Sequence, residues 1–248
     1  KLRHKSTFRL SSVDKPYLKF PCFKRFTLVL EVIQVMCLFE TIEENLNKNE
    51  IYAIDTTSSI SPKKNNFSKD KQESLVSNPS PIGKQKKQIA EDLSTPVIRT
   101  RDGLFDFLNS VKPLYELIVY SKFDREEVDK CLDHIENHTV YFDYRLYHEH
   151  CTESQNSFIQ KLSYLGREKS KIVFVDSNIP SCSANKENSI VVKPFIGGKV
   201  EKDKCDTSLL TIKDLLIEIA ISETEDVRPM IKNLTQRARK SKKVGKEK

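Results

Sequence analysis

The sequence lacks the features of a membrane protein and of a disulfide-rich protein. Its most apolar run, residues 26–39, is interrupted by Glu31 and Gln34 and is shorter than the about 20 residues that a membrane-spanning helix needs. The six cysteines are scattered, and no two have the C-x-x-C spacing of a zinc site or a small disulfide framework. We therefore expect no transmembrane segment, and reduced thiols in an intracellular protein.

Acidic residues are scarce at the start of the chain, where Asp14 is the only acid before Glu31. An acid-poor leader with Arg and Ser is typical of a mitochondrial targeting segment, but Pro16 and Pro21 favour an ordinary basic lead-in at least as well. We assign residues 1–16 to this lead-in. The chain does not begin with Met, as expected of a fragment or a processed form.

The overall charge is basic. The net charge is +7, with 31% charged and 38% hydrophobic residues, which describes a soluble chain whose surface favours acidic partners, phosphate groups or nucleic acid. Residues 235–248 form a basic tail without apolar periodicity. A solvated tail is the ordinary interpretation, and the alternatives are a nuclear localisation signal or contact with nucleic-acid phosphates.

Most of the remaining chain alternates between strand and helix patterns. Residues 43–96 are rich in Asn, Ser, Lys and Pro and have no hydrophobic periodicity, which predicts a disordered insertion. Elsewhere the patterns predict strands at 26–30, 116–120, 171–175 and 189–192, helices at 104–111 and 207–221 and from Asp124 onward, a looser segment at 139–151, and a short helix or turn at 158–165. This alternation predicts an α/β fold with a parallel sheet and helices on both of its faces.

Three of the predicted strands end at polar residues, namely Glu31, Ser121 and Asp176. In open α/β sheets the reactive groups lie just past the carboxyl ends of the strands. Each residue alone has an ordinary interpretation as a rim, helix-entry or loop residue. An acid, a hydroxyl and an acid at one edge of a sheet together indicate a site.

Several stretches resemble a known family. They are KRFTLVLEV, TRDGLFDFLNSVKPLYELIVYS, YRLYHEHC, KLSYLGREKSKIVFVD, ENSIVVKPF and EDVRPMIKNL. Their order and wording are similar to the Fcp/Scp-type protein phosphatase domain of the haloacid dehalogenase superfamily, to which the Tim50-type mitochondrial translocase receptor is a related branch. The resemblance covers residues 17–40 and 97–234, so we place one domain at 17–234, interrupted by the insertion. It implies a three-layer, Rossmann-like parallel sheet with helices on both faces.

The resemblance also implies a chemistry. Active members carry the signature DxDxT after the first strand, where the first Asp attacks phosphorus and the second acts as acid and base. A magnesium ion held by oxygen ligands neutralises the phosphate. In this chain the signature positions hold Glu31, Ile33 and Val35. Ile33 carries no transferable proton, and the extra methylene of Glu31 moves its oxygens by ~1 Å, a displacement that can cost ~10²-fold in rate.

The other family positions are partly retained. Ser121 matches the phosphate-binding hydroxyl, and Asp176 matches the metal-binding acid after the third strand. The family lysine falls on Gln160, or on Lys161 if the register shifts by one residue. Glu31 and Asp176 would then hold magnesium weakly at most. His148 and His150 fit packing or hydrogen-bonding roles, because further zinc ligands are absent nearby.

These departures favour a catalytically degraded phosphatase-like domain, a pseudophosphatase that binds a protein or a phosphoprotein. One alternative is an active magnesium-dependent Ser/Thr phosphatase that uses Glu31, Ser121, Lys161 and Asp176 and forms an acyl phosphate. Another is a mitochondrial presequence-translocase receptor of the Tim50 type. We expect the nucleus or cytoplasm as the compartment, with mitochondria as the alternative, and nucleic-acid contact through the basic tail only.

Overall fold

The computed structural model describes residues 8–9, 14–40, 97–154, 157–197 and 206–244. The chain divides into two compact units, residues 1–38 with 98–248 and residues 39–97. The predicted insertion at 43–96 falls within the second unit and lies outside the described residues. The strands of the main sheet belong to the first unit.

The secondary structure alternates between strands and helices, as the sequence predicts. In chain order the strands and α-helices are β1 (Phe8–Arg9), β2 (Phe26–Leu30), β3 (Cys37–Glu40), β4 (Val97–Thr100), α1 (Leu104–Val111), β5 (Tyr115–Tyr120), α2 (Arg125–Ile135), β6 (Tyr144–Leu146), β7 (Thr152–Ser154), β8 (Ser157–Ile159), β9 (Ile172–Asp176), α3 (Ile179–Ala184), β10 (Ser189–Val191), α4 (Ser208–Ile221) and α5 (Val227–Val244). Three short 3₁₀ turns lie at His148–His150, Leu162–Tyr164 and Lys169–Lys171.

A six-stranded parallel sheet forms the centre of the unit. Its strand order is β1-β6-β5-β2-β9-β10, and every neighbouring pair is parallel. In the middle of the sheet Leu28 of β2 lies opposite Leu117 of β5 and Val173 of β9. Because these three strands are in register, their carboxyl ends lie at one edge.

Both faces of the central strands are covered. Every residue of β2, β5 and β9 is buried. Val29, Ile118 and Phe174 belong to one apolar cluster on one face. Since neighbouring strand residues point to opposite faces, Leu28 and Leu117, which are 0% exposed, cover the other. The predicted α/β class with a parallel sheet is therefore confirmed.

The sequence patterns missed the four short strands β1, β6, β7 and β8. The looser segment at 139–151 contains β6, which lies inside the sheet between β1 and β5. Strand β8 begins the stretch predicted as a short helix or turn at 158–165, and β8 pairs antiparallel with β7. Strand β1 falls within the predicted basic lead-in and pairs with β6. These strands have two or three residues each, which is too short for a periodic pattern.

The end of the described chain is helical. Helix α5 runs through Val244, so it extends into the stretch that the sequence assigned to a basic tail. Residues 245–248 lie outside the described residues. No helix in the described part of the chain combines the length and the apolarity that a bilayer crossing requires.

Candidate functional site

The polar residues at the strand ends meet at the carboxyl edge of the sheet. Glu31 directly follows β2, Ser121 directly follows β5, and Asp176 is the last residue of β9. Since β5, β2 and β9 are neighbours in that order, the three side chains come together around Glu31. All three are 0% exposed.

The Glu31 carboxylate accepts four hydrogen bonds. Its Oε1 atom accepts from the Ser121 hydroxyl at 2.5 Å and from the backbone N–H of Val32 at 2.8 Å. Its Oε2 atom accepts from the backbone N–H of Lys122 and from Nε2 of Gln160, each at 3.1 Å. A carboxylate offers about four lone-pair sites in total. The protein itself therefore satisfies the whole hydrogen-bonding capacity of Glu31.

The environment of Glu31 makes ionisation of its carboxyl less favourable than in water. Burial raises the pKa of the Glu31 carboxyl to about 7, and the negative charge of Asp176 acts in the same direction. The hydrogen bond from Ser121 and the charge of Lys122 oppose this rise in pKa. Desolvation is the dominant cause, because burial removes the hydration that stabilises a charged carboxylate.

Asp176 lies beside a lysine that the sequence analysis did not identify. Its Oδ1 atom accepts the backbone N–H of Asn178 at 3.0 Å and lies 3.9 Å from Nζ of Lys122. Its buried Oδ2 atom accepts no hydrogen bond of good geometry from the described residues, although the nearby Ser181 hydroxyl lowers the pKa of Asp176. Burial outweighs these effects, so the net pKa of Asp176 is raised.

The structure decides between Gln160 and Lys161. Gln160 is 0% exposed, and its Nε2 atom donates to Glu31 and to the backbone oxygen of Tyr120. Lys161 points elsewhere, with its Nζ atom 5.5 Å from the ring centroid of Tyr164. Gln160 is therefore the residue of this pair that contacts Glu31. The assignment of the family lysine to either position stays a prediction.

The segment after Glu31 is a structured turn without a second acid. Ile33 is only 6% exposed and carries no titratable group. Gln34 has a positive φ of 67°, and its backbone N–H donates to the carbonyl of Cys37 at 2.8 Å. The backbone N–H of Phe195 donates to the Gln34 carbonyl at 2.7 Å. Backbone hydrogen bonds therefore hold this turn, and none of residues 32–36 has an acidic side chain that could act as a general acid.

The donor set does not fit the magnesium ion that the resemblance implies. Mg²⁺ takes about six oxygen ligands in near-octahedral geometry, of which a protein commonly supplies one or two carboxylates. At this site the two candidates are Glu31 and Asp176, and among the described residues no third His, Cys, Asp or Glu joins them in a metal-binding group. Both oxygens of Glu31 are already hydrogen-bonded, and the free oxygen of Asp176 belongs to a carboxylate that faces an ammonium group.

Lys122 is the functional candidate that sequence reasoning missed. It directly follows Ser121, so it stands at the same strand end as a predicted site residue. A basic residue at that place was the available signal. Its side chain is 17% exposed, whereas most lysines are solvated, and its Nζ atom lies 3.9 Å from Oδ1 of Asp176 at the end of β9.

Comparison with known proteins identifies the family. The family model described as NLI interacting factor-like phosphatase matches residues 52–228. That range includes Ser121, Gln160 and Asp176 but begins after Glu31.

Individual curated relatives share about 30% identity with roughly half of this chain. The chain is 30% identical over 131 residues to the mitochondrial import inner membrane translocase subunit TIM50 of Candida albicans, covering 53% of this chain and 27% of that protein. It is 28% identical over 134 residues to nuclear envelope morphology protein 1 of Schizosaccharomyces pombe, covering 54% and 27%. The chain thus spans about a quarter of the length of these curated relatives.

Among solved structures, the chain is similar to the fission yeast RNA polymerase II CTD phosphatase Fcp1 bound to beryllium fluoride. The TM-score is 0.41 at 16% identity, covering 84% of this chain and 54% of that chain. The family model, by contrast, matches more than half of the chain. The chain therefore belongs to the family of NLI interacting factor-like phosphatases.

Proposed function

We propose that this chain is a catalytically degraded phosphatase-like domain that acts as a protein-binding module. The observation that supports this function most directly is the state of Glu31. The carboxylate at the nucleophile position is fully buried and accepts four hydrogen bonds from the protein.

A nucleophilic carboxylate must direct a free lone pair at phosphorus. Attack through Glu31 would first require one of its four donors to leave, and a buried donor without a partner costs about 1–3 kcal/mol. The reaction also requires in-line geometry, and a displacement of ~1 Å can cost ~10²-fold in rate. Both effects reduce the reactivity of Glu31.

The acid and base step is impaired independently. General acid–base catalysis typically contributes ~10²–10⁴-fold, and Ile33 stands where the family carries the acid. Gln160 offers an amide in place of the family lysine, so the phosphate would also lose a positive charge. We expect hydrolysis at least ~10⁴-fold below that of an intact family member, although such effects are not additive.

The test is phosphate release from p-nitrophenyl phosphate and from a Ser/Thr phosphopeptide with magnesium. We expect no rate above background for the wild-type protein. A matched variant, Glu31→Asp with Ile33→Asp, restores both signature acids, and any activity it gains should disappear when Asp176→Ala is added. Wild-type activity within tenfold of an intact family member, abolished by Asp176→Ala, would overturn the proposal.

The alternative of an active phosphatase has its own test. It requires Glu31 to accept a phosphoryl group, so beryllium fluoride should bind at Glu31 and perturb the backbone amide resonances of Val32 and Lys122. We expect no perturbation in the wild-type protein. Saturable perturbation that Glu31→Gln abolishes would favour the active phosphatase.

The binding role is supported by the names of the relatives. TIM50 is named as a translocase subunit, so this domain type occurs in a protein assembly. We propose a protein partner for this chain. Affinity capture from native cells, with and without phosphatase treatment of the lysate, distinguishes the partner types. A partner that is still captured after the treatment binds without its phosphate groups. A partner that is no longer captured binds through phosphate.

The similarity to TIM50 also favours a second candidate, a receptor in a mitochondrial translocase. The relatives named here belong by their names to mitochondria or to the nuclear envelope, which supports an intracellular location. Fractionation of native cells decides the compartment. Recovery in mitochondria together with translocase subunits would support the receptor, and recovery in the nucleus would exclude it.

A further inference from the structure

We propose that the ammonium group of Lys122 takes the place of a divalent cation at this site, so that the folded protein neither binds nor needs magnesium there. The inference rests on the proposed function, because a site without its cation has lost part of the family chemistry. The two proposals can nevertheless fail separately, because metal binding tests the inference and hydrolysis tests the proposed function.

The first support is the position of Lys122. Its Nζ atom lies 3.9 Å from Oδ1 of Asp176, the acid that the family resemblance assigns to the metal. Its backbone N–H donates to Glu31 Oε2 at 3.1 Å, so one residue contacts both acids. The ammonium also lies 5.3 Å from the ring centroid of Phe123. These contacts hold the positive charge inside the cluster.

The second support is charge balance. Glu31 and Asp176 lie close enough for the charge of Asp176 to raise the pKa of Glu31, and both are 0% exposed. Buried acids of like charge require a counter-charge, because an uncompensated buried charge is strongly destabilising. Among the described residues, Lys122 is the basic side chain within ion-pair distance of this pair. Its charge lowers the pKa of both acids.

The third support is competition for the same space. A divalent ion bound to Asp176 would lie beside the ammonium and would be repelled by it. While Lys122 is present, Glu31 does not offset this repulsion, because a metal ligand at Glu31 would have to displace donors such as Ser121 and Gln160. Ser177, the residue after Asp176, is a neutral hydroxyl that adds no charge. The ammonium is part of the chain, so it cannot dissociate from the site as a free metal ion can.

The primary experiment uses the wild-type full chain. We expect its melting temperature to agree within about 1 °C in EDTA and in 10 mM MgCl₂, because a ligand that does not bind the folded state cannot stabilise it. Manganese, followed by electron paramagnetic resonance, should show no bound ion that Asp176→Asn removes. A melting temperature that rises with magnesium, or bound manganese that Asp176→Asn abolishes, would overturn the inference.

The second experiment removes the ammonium. Lys122→Met keeps most of the length of the side chain but removes the positive charge beside two buried acids, so we expect the melting temperature to fall by about 5 °C or more. Magnesium at 10 mM should then recover at least about 3 °C, and manganese should bind. Lys161→Met is the matched control, since Lys161 lies over Tyr164 and outside the cluster, and it should show neither effect.

A double variant makes the result specific to charge. Lys122→Met with Asp176→Asn removes one charge of each sign and should be more stable than Lys122→Met alone, with no response to magnesium. A double variant as unstable as the single one would overturn the inference. If Lys122→Met does not fold, the wild-type measurements still decide.

Phosphatase assays on the same samples separate the two proposals. A wild-type protein that is inactive but binds manganese through Asp176 would overturn the inference about Lys122 and leave the proposed function intact. A wild-type protein that hydrolyses p-nitrophenyl phosphate or the phosphopeptide in EDTA would overturn the proposed function and leave the inference intact. Hydrolysis that requires magnesium would overturn both.

Discussion

At the scale of single residues, the hydrogen bonds of Glu31 explain how a carboxylate can be buried at the edge of the sheet. Its carboxylate lies among four donors, two of them backbone N–H groups and two the side chains of Ser121 and Gln160. Buried polar groups are stable only when they are hydrogen-bonded. The arrangement that makes Glu31 tolerable inside the protein is therefore the same one that removes its free lone pairs.

A substitution at Ser121 tests this arrangement. Ser121→Ala removes the donor at 2.5 Å from Glu31 Oε1, so we expect the free energy of unfolding to fall by about 1–3 kcal/mol at neutral pH. Urea denaturation measures the change. Ser110→Ala is the control, because the Ser110 hydroxyl donates to the carbonyl of Asp106 on an exposed helix face, and its loss should cost less than about 0.5 kcal/mol. Equal effects for the two serines would contradict the prediction.

At the scale of elements, strand β6 is a buried strand that its sequence pattern does not predict, because it is short and contains a charged residue. Its central residue is Arg145, which reads as a surface residue but is 3% exposed. The guanidinium is paired with Asp129 at 2.7 Å and Asp133 at 3.3 Å on α2, and with Glu136 just after it. Ion pairs from a neighbouring helix thus allow a charged residue to occupy a buried strand.

Removal of this guanidinium should be strongly destabilising. Arg145→Ala removes the guanidinium that pairs with Asp129 and Glu136, and breaking a buried ion pair costs about 3–5 kcal/mol. Lys130→Ala is the matched control, since Lys130 pairs with exposed Glu126 four residues away and should cost about 0.3–0.5 kcal/mol. Thermal and urea denaturation of both variants provide the measurement. A loss below about 1 kcal/mol for Arg145→Ala would show that β6 is held by other contacts.

At the scale of the whole sheet, the two ends differ in how their acids are satisfied. At the amino end Glu116 accepts two hydrogen bonds from Arg167, each at 2.8 Å, and one from the Thr27 hydroxyl at 2.9 Å. Burial acts to raise the pKa of Glu116, but the hydrogen bonds and charge of Arg167 outweigh it, so the net pKa is lowered. At the carboxyl end burial prevails, and the pKa values of Glu31 and Asp176 are raised.

The lowered pKa of Glu116 predicts a pH dependence of stability. A carboxyl whose folded pKa lies below its unfolded value contributes stability above the unfolded pKa and loses it as the pH falls through the folded pKa. The unfolded value is 4.5, so we expect the stability difference between wild type and Glu116→Gln to shrink as the pH is lowered from about 5 toward 3. Urea unfolding at several pH values measures this difference. A difference that stays constant with pH would contradict the prediction.

Much of the architecture was predictable from local patterns. Strands β2, β5, β9 and β10 and helices α1, α2 and α4 were each predicted to within a few residues, because buried strands and amphipathic helices leave a periodic trace in the sequence. The convergence of Glu31, Ser121 and Asp176 also followed from strand ends in a parallel sheet. The short strands β1, β6, β7 and β8 left no such trace.

The choice between Gln160 and Lys161 lay beyond any sequence pattern. Neighbouring side chains of an extended segment point in opposite directions, so a shift of one residue exchanges the side chain at the site with the one outside it. Only the position of β8 against β7 and the contact of Gln160 with Tyr120 fix which of the two faces Glu31.

The sequence by itself determined the fold class and the family resemblance, because these depend on residue types in order along the chain. Only the tertiary structure decided that Glu31 is saturated by four donors, that Gln160 is one of them, and that Lys122 faces Asp176. The physical reason is that hydrogen bonding and charge balance depend on distances between residues far apart in the chain. Glu31 and Gln160, for example, are separated by 129 positions and meet only when β2 and the segment after β8 are in place.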